Sequence, residues 1–176
     1  DSPMSRGLGD VYKRQSFDGR EIEGSELAAI YSSWVNRYPI VSIEDPFDED
    51  DWESWISFTN MGHDIRIIGD DLYVTSPKRL QNGINRGASN SILIKPNQIG
   101  TITETLEVME IANREGFECV VSHRSGETSD NTISDIAVGT GCGWIKTGAP
   151  ARSDRTSKYN QLLRISETGL QYAGWN

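Results

Sequence analysis

Five short, mostly β-branched runs alternate with amphipathic helical patterns along the chain after residue 25. We predict that these runs are strands, with the sequences PIVSIE, IRIIGD, SILIK, ECVVSH and WIKTG. Each strand with its neighbouring helix takes about 25 residues, and units of this kind join parallel strands through right-handed crossovers. The alternation therefore predicts an α/β fold, which is either an open doubly wound sheet or part of a (β/α) barrel.

Capping signals mark where several helices begin and end. Ser25 is the predicted N-cap of the first helix. Asp45 and the acids at 48–50 are expected to form a solvated loop that leads into the N-terminus of the second helix. The third helix is expected to follow a serine cap and to end at Gly87, although it contains Gly83.

An ionisable side chain stands at the carboxyl end of every predicted strand. In chain order these residues are Glu44, Asp70, Lys95, His123 and Lys146. In an open sheet only strands beside the reversal of strand order contribute to a site, whereas all strand ends of a barrel converge on one centre. Five ionisable ends on five strands therefore favour the barrel.

The overall charge limits the kinds of partner that the protein can have. The 176 residues carry a net charge of -9, so the protein repels nucleic acid and anionic membrane surfaces. An anionic ligand must therefore be bound by a local cluster of cations. The sequence shows neither an apolar run near the ~20 residues of a membrane span nor a signal-peptide pattern, and we expect a cytoplasmic location.

The acidic strand ends have two interpretations. Glu44 and Asp70 are hard oxygen donors on neighbouring strands, which is the type of ligand that binds magnesium. Alternatively, they form structural salt bridges with Lys95 and Lys146, because unpaired buried charges are too costly to keep. A lysine at such a position can also act as a general base, since partial burial lowers a lysine pKa, although nearby carboxylates raise it.

The segment VVSHRSGET indicates a phosphate-binding site. The strand ends in Ser122, His123, Arg124 and Ser125, and a glycine follows, so hydroxyls, a guanidinium and backbone donors occur together. Lys146 would add a cation for a second anionic group. Metal-binding carboxylates, a lysine base and this cationic pocket suit proton abstraction next to a carboxylate, because they stabilise the negative charge that develops.

Five motifs resemble the enolase family, the glycolytic phosphopyruvate hydratases. They are YPIVSIEDPFDEDDW, GDDLYVTSPKRL, ILIKPNQIGTITETL, VVSHRSGETSD and IKTGAPARSDRTSKYNQLLRI, and the resemblance spans roughly residues 16 to 174. The resemblance implies the C-terminal part, about five β/α units, of an enolase-type (β/α)8 barrel. It also implies a lyase that uses Mg2+ to dehydrate 2-phosphoglycerate to phosphoenolpyruvate.

The resemblance assigns roles to individual residues. Glu44 and Asp70 match metal ligands that also contact the substrate, and Lys95 matches the base that removes the substrate proton. Asp71 matches a neighbour of that base. Lys146 matches the lysine that meets the substrate carboxylate. The segment that binds the substrate and its phosphate is matched by Ser122, His123, Arg124 and Ser125.

The matching part is only a portion of an enolase. Residues 1–15 lack periodicity and are expected to be a disordered or artefactual tail, so the partial barrel is assigned to residues 16–176. Enolases also have an N-terminal domain, earlier barrel strands, a third metal-binding aspartate and a glutamate general acid, none of which matches this chain. The alternative is therefore a non-catalytic half barrel that binds anions weakly or self-associates. For the full-length protein the resemblance implies a homodimer.

Overall fold

The computed structural model describes residues 14–171 and contains two sheets and seven helices. The strands are β1 (Arg14–Phe17), β2 (Arg20–Glu23), β3 (Ser42–Glu44), β4 (Arg66–Gly69), β5 (Ser91–Ile94), β6 (Glu118–Ser122) and β7 (Trp144–Lys146). The helices are α1 (Gly24–Arg37), α2 (Trp52–Thr59), α3 (Pro77–Arg86), α4 (Pro96–Ile99), α5 (Ile102–Arg114), α6 (Thr132–Gly139) and α7 (Ser153–Ser166). Within residues 14–171, no helix combines the length and hydrophobicity needed to cross a membrane.

The larger sheet has the strand order expected for a barrel. Its five strands lie in the order β3-β4-β5-β6-β7, and every neighbouring pair is parallel. An open doubly wound sheet reverses its order at a switch point, whereas this sheet winds in a single direction. The prediction of five consecutive β/α units from a barrel is therefore confirmed.

A small hairpin precedes the barrel units. β1 and β2 are antiparallel, and Asp18 and Gly19 form their two-residue turn with φ values of 50° and 76°. An Asp-Gly pair suits such a turn because both residues tolerate positive φ. Arg14 and Gln15, which were assigned to the tail, are the first residues of β1. The rest of the predicted tail, residues 1–13, lies outside the described residues.

The sheet divides the apolar side chains into two layers, because neighbouring residues of a strand face opposite sides. One layer packs beneath the helices and includes Ile67 of β4, Ile92 and Ile94 of β5 and Val121 of β6. The opposite layer, here called the inner face, contains Ile68, Leu93 and Val120, with Trp144 packed against them. All the helices that contribute to the first layer cover the same side of the sheet, as in a barrel.

The predicted helix boundaries are mostly correct. Asp51 caps α2 by accepting a hydrogen bond from the Ser54 amide, and Ser76 caps α3 before Pro77. Gly87 ends α3 in the left-handed conformation, as expected.

The Ser25 cap was wrong. The helix begins one residue earlier, at Gly24, and the capping position is occupied by Glu23, whose side chain makes no capping hydrogen bond. A Cβ atom at Gly24 would lie 1.9 Å from Ser54 Oγ, so the glycine lets the start of α1 approach α2 closely. This contact, together with the direct connection from β2, determines where α1 begins.

Candidate active site at the carboxyl ends of the strands

The predicted site residues lie at one edge of the sheet, and several of them share its inner face. Glu44 pairs in register with Ile68, and Lys146 with Ser122, so these strand-end residues face the same side as the inner apolar layer. Asp70 is two residues beyond Ile68 and has the same orientation. The strands therefore bring Glu44, Asp70, Ser122 and Lys146 to a common surface.

Asp70 and Lys95 form a close ion pair at the centre of this edge. Lys95 Nζ donates a hydrogen bond of 2.5 Å to Asp70 Oδ2, and the two side chains are 13% and 11% exposed. The backbone amide of Lys95 donates to Thr75 Oγ1, which is fully buried. Lys95 is thus anchored at its backbone by a buried threonine and at its ammonium by a largely buried carboxylate.

The second ion pair joins the two outer strands of the sheet. Lys146 Nζ on β7 donates to both oxygens of Glu44 on β3, at 2.7 and 2.6 Å. Four strand spacings separate these strands, which in a flat sheet would place them about 19 Å apart. The direct contact therefore shows that the sheet curves strongly around its inner face, as a barrel wall does.

Both ion pairs of the alternative interpretation are therefore present. The Glu44–Lys146 pair is 31% and 41% exposed, and pairs with this exposure contribute at most about 1 kcal/mol to stability. A ligand that offers a cation to the glutamate and an anion to the lysine can replace such a pair at small cost. The Asp70–Lys95 pair is far more buried, so its carboxylate contributes both to structure and to any site.

Asp70 also has an oxygen that the protein does not satisfy. Asp70 Oδ1 is buried and has no hydrogen-bond partner in the described structure. Carboxylate oxygens of Asp45, Asp70 and Asp71 lie within 4.8 Å of one another. A buried anionic oxygen without a partner is costly, and converging hard oxygens are the ligands that magnesium prefers. The residues present therefore fit a divalent cation bound at Asp70, whereas Glu44 lies outside this close group.

Asp45 holds the pair of aspartates in place, although it was predicted to lie in a solvated loop. Its carboxylate accepts hydrogen bonds from the amides of Asp70, at 2.8 Å, and Asp71, at 2.9 Å. Burial raises the pKa of Asp45 to about 6, although the two amide hydrogen bonds act in the opposite direction. The residue is half-buried and has φ of 42°. The acidic run in the sequence does not indicate that Asp45, unlike its neighbours, binds backbone amides of the site.

The loop after β6 presents its predicted groups together. Ser122 is buried and donates its hydroxyl proton to the carbonyl of His123, whereas Ser125 is exposed. The guanidinium of Arg124 donates to Asn97 Oδ1 at 2.9 Å. Burial lowers the pKa of His123, and the positive charges of Arg155 and Lys146 lower it further.

Helix α7 supports this loop through residues that the sequence analysis did not identify. Lys158 is 1% exposed and donates to Glu127 Oε2 at 2.8 Å and to the carbonyls of Thr128 and Asp154. Glu127 Oε1 in turn accepts a hydrogen bond from the Arg124 amide at 2.8 Å. Arg155, one turn earlier, donates to two carbonyls of the same loop, those of Arg124 and Ser125.

The only sequence signal for this support was the spacing of the cations on α7. Arg155 and Lys158 are three residues apart and therefore lie on one face of the helix. Their partners are about 30 residues earlier in the chain, so the pattern of α7 alone does not reveal them.

A cavity of about 260 Å³ adjoins the loop. Polar side chains on its wall include Ser122, Arg124 and Lys158, and Pro96, Ile133 and Ile136 supply apolar surface. The loop therefore borders a concave space as well as the inner face of the sheet.

Comparison with known protein families identifies the architecture. The family described as enolase, C-terminal TIM barrel domain, matches residues 10–176. The match covers the hairpin and all five β/α units, and it begins upstream of residue 16, where the sequence analysis placed the start of the barrel.

Proposed function

This chain belongs to the enolase C-terminal barrel family, and from that premise we propose that it carries the metal- and phosphate-binding part of a phosphopyruvate hydratase active site. The reaction is the dehydration of 2-phosphoglycerate to phosphoenolpyruvate in glycolysis and gluconeogenesis. Cytoplasmic location and homodimer formation by the full-length protein belong to the same proposal.

One observation carries the proposal. A buried acid with an unsatisfied oxygen, a lysine that contacts that acid, and a loop of Ser, His and Arg all project from one edge of a curved parallel sheet. A substrate with a carboxylate, an acidic C–H bond and a phosphate needs all three kinds of group. Structural salt bridges alone would not require the cationic loop beside them.

The proposed roles follow from the positions of the groups. Lys95 is the general base that removes the proton next to the substrate carboxylate. Lys146 neutralises that carboxylate, and the phosphate is bound by Arg124 together with Ser122, His123 and Ser125. Glu44 and Asp70 would hold Mg2+, which when bound supplies positive charge to the substrate oxygens as negative charge develops.

Activity also requires a general acid for the leaving hydroxide, and enolases supply it from a segment that this chain does not match. General acid assistance is worth roughly 10²–10⁴-fold, so we expect the chain alone to be inactive or nearly so. The exposed β3 strand is the specific observation that favours the alternative, a non-catalytic half barrel, because its outer edge has no partner strand among residues 14–171.

Complementation tests the proposed function. The chain is mixed with a separately produced N-terminal part of an enolase, magnesium is added, and the absorbance of phosphoenolpyruvate is followed. We expect activity only in the mixture, and we expect Arg124→Ala to raise KM and lower turnover together, because phosphate contacts serve both the bound substrate and the transition state.

Two results would count against the proposal. Association of the two parts, demonstrated by size-exclusion chromatography, without any product formation would contradict the function. Activity of the chain alone near that of an intact enolase would show that the missing general acid is not needed.

A further inference from the structure

We propose that Arg155 determines which nitrogen of His123 carries the proton, because its guanidinium contacts Nδ1 and leaves Nε2 as the N–H donor of the ring. Arg155 is then a positioning residue that acts through His123. The tautomer follows from the geometry alone, and only the use of Nε2–H toward a substrate rests on the proposed function.

Contacts other than the one with the imidazole hold the Arg155 guanidinium in place. Its side chain is 11% exposed, and it donates to the carbonyls of Arg124 at 2.7 Å and Ser125 at 3.0 Å. The nitrogen that binds the Arg124 carbonyl also contacts His123 Nδ1. Arg155 therefore approaches the ring from a direction that the loop backbone sets.

Gly148 makes room for this contact. A Cβ atom at this position would lie 2.9 Å from Arg155 Cδ and 3.0 Å from His123 Cε1. Gly148 also has a φ of 86°, a backbone conformation in which residues other than glycine are strained. The glycine after β7 thus allows the ring and the guanidinium to lie close to the backbone.

Hydrogen-bond chemistry then selects the tautomer. Arginine has donors and no acceptor, so the histidine nitrogen that it contacts has to be the acceptor. A neutral imidazole has one acceptor and one N–H donor, and Nδ1 as acceptor places the proton on Nε2. A doubly protonated ring would instead point an N–H group at the guanidinium.

The charged surroundings of His123 also favour the neutral ring. Burial is the largest cause of its lowered pKa, followed by the charge of Arg155 and then that of Lys146. Lys158 also lowers the pKa, whereas Glu127 raises it. The ring is therefore a neutral donor near pH 7, and a bound phosphate would accept from Nε2–H without displacing a proton.

Nitrogen NMR of the imidazole rings provides the test. The chain has two histidines, His63 and His123, so long-range 1H–15N spectra contain two ring systems, and His63→Gln assigns them. In the wild-type chain we expect the Nε2–H tautomer for His123. In Arg155→Met we expect a mixture of both tautomers and a rise in the pKa of His123 during a pH titration.

Arg155→Lys and Arg164→Met complete the comparison. The lysine variant keeps a charge but lacks the planar guanidinium whose two terminal nitrogens make the three contacts, so we expect an intermediate spectrum. Arg164 is an exposed residue on the same helix, and its substitution should leave the His123 signals unchanged.

Each outcome decides for or against the inference. A wild-type ring protonated on Nδ1 would overturn it, as would a folded Arg155→Met chain with an unchanged tautomer and pKa. If the variants fail to fold, the wild-type tautomer still decides. An absence of enolase activity would leave these spectra unaffected, so the inference and the proposed function fail separately.

Discussion

Asp70 uses its two carboxylate oxygens for different purposes. Oδ2 accepts the hydrogen bond from Lys95, whereas Oδ1 is buried without a partner. The Asp45 carboxylate holds the backbone of the turn through the amides of Asp70 and Asp71, and Lys95 holds the Asp70 side chain through Oδ2. The unsatisfied oxygen is therefore held in an orientation in which a cation is its natural partner.

Substitution of Asp70 should remove magnesium binding. We expect weak binding by the wild-type chain, and no detectable heat for Asp70→Asn, because the variant replaces a charged oxygen ligand with an amide. Isothermal calorimetry measures both affinities. Asp64→Asn is the matched control, since Asp64 is exposed and precedes β4, at the opposite end of the strand from Asp70. Equal affinities for wild type and Asp70→Asn would remove Asp70 from the ligands.

Glu127 should contribute stability that depends on pH. Burial raises the pKa of Glu127, but the hydrogen bonds from Lys158 and the Arg124 amide outweigh it, so the net pKa is below the usual 4.5. A carboxyl with a depressed folded pKa stabilises the fold above its unfolded pKa and loses that contribution as the pH falls through the folded value.

Glu127→Gln tests this dependence. At pH 7 we expect the variant to lose about 1–3 kcal/mol of unfolding free energy, because the buried Lys158 ammonium loses its charged partner. The difference from wild type should shrink below pH 4.5. Urea unfolding at several pH values measures it, and Glu110→Gln on the exposed face of α5 is the control. A difference that does not change with pH would contradict the charged role of Glu127.

At the scale of elements, α3 shows why a glycine occurs inside a helix. Gly83 is buried against Tyr73, and a Cβ atom there would lie 2.3 Å from the tyrosine hydroxyl oxygen. Tyr73 cannot move away easily, because it is fully buried and its hydroxyl bonds Ser89 Oγ at 2.6 Å. The helix therefore accepts a residue of poor helix propensity to allow close packing on the sheet.

Gly83→Ala should destabilise the fold despite the better helix propensity of alanine. Overpacking costs typically about 1–3 kcal/mol, which exceeds the gain of roughly 0.5–1 kcal/mol from replacing a helical glycine. Gly139→Ala, with no atom within 4 Å of the new Cβ, should be neutral or stabilising. Thermal unfolding of the two variants measures the contrast, and a higher Tm for Gly83→Ala would contradict the packing argument.

The elements were largely predictable because their signals are local. The five strands and their order follow from apolar runs and crossover connections, and Ser76 and Gly87 mark the ends of α3 as expected. The four-residue α4 is too short for a periodic pattern. The β1–β2 hairpin starts inside the segment that was assigned to the tail, and its Asp-Gly turn was not identified in the sequence.

The supporting residues of the site were less predictable, because their contacts are distant in sequence. Lys158 meets Glu127 across 31 residues, and Asp45 meets the amide of Asp70 across 25. Ionisable residues at strand ends can be identified from their position in the sequence. A buried lysine on an amphipathic helix cannot be distinguished in the sequence from a solvent-exposed one. Tertiary packing alone determines which cation turns inward.

At the scale of the whole molecule, the curved sheet has two outer strands. In the described part of the chain, β3 pairs only with β4, and β7 pairs only with β6. The Glu44–Lys146 pair shows that these strands approach each other across the inner face. The outer edges of β3 and β7 are where the earlier strands of an enolase barrel would complete the wall.

Proton exchange tests the central claim, that the strand ends form one site with Lys95 as its base. The chain, complemented with the N-terminal part of an enolase and magnesium, is incubated with 2-phosphoglycerate in D2O, and loss of the proton next to the carboxylate is followed by NMR. We predict exchange by the wild-type mixture, a loss of roughly 10²-fold or more for Lys95→Met, and no change for the exposed Lys78→Met. Undiminished exchange with Lys95→Met would contradict the claim.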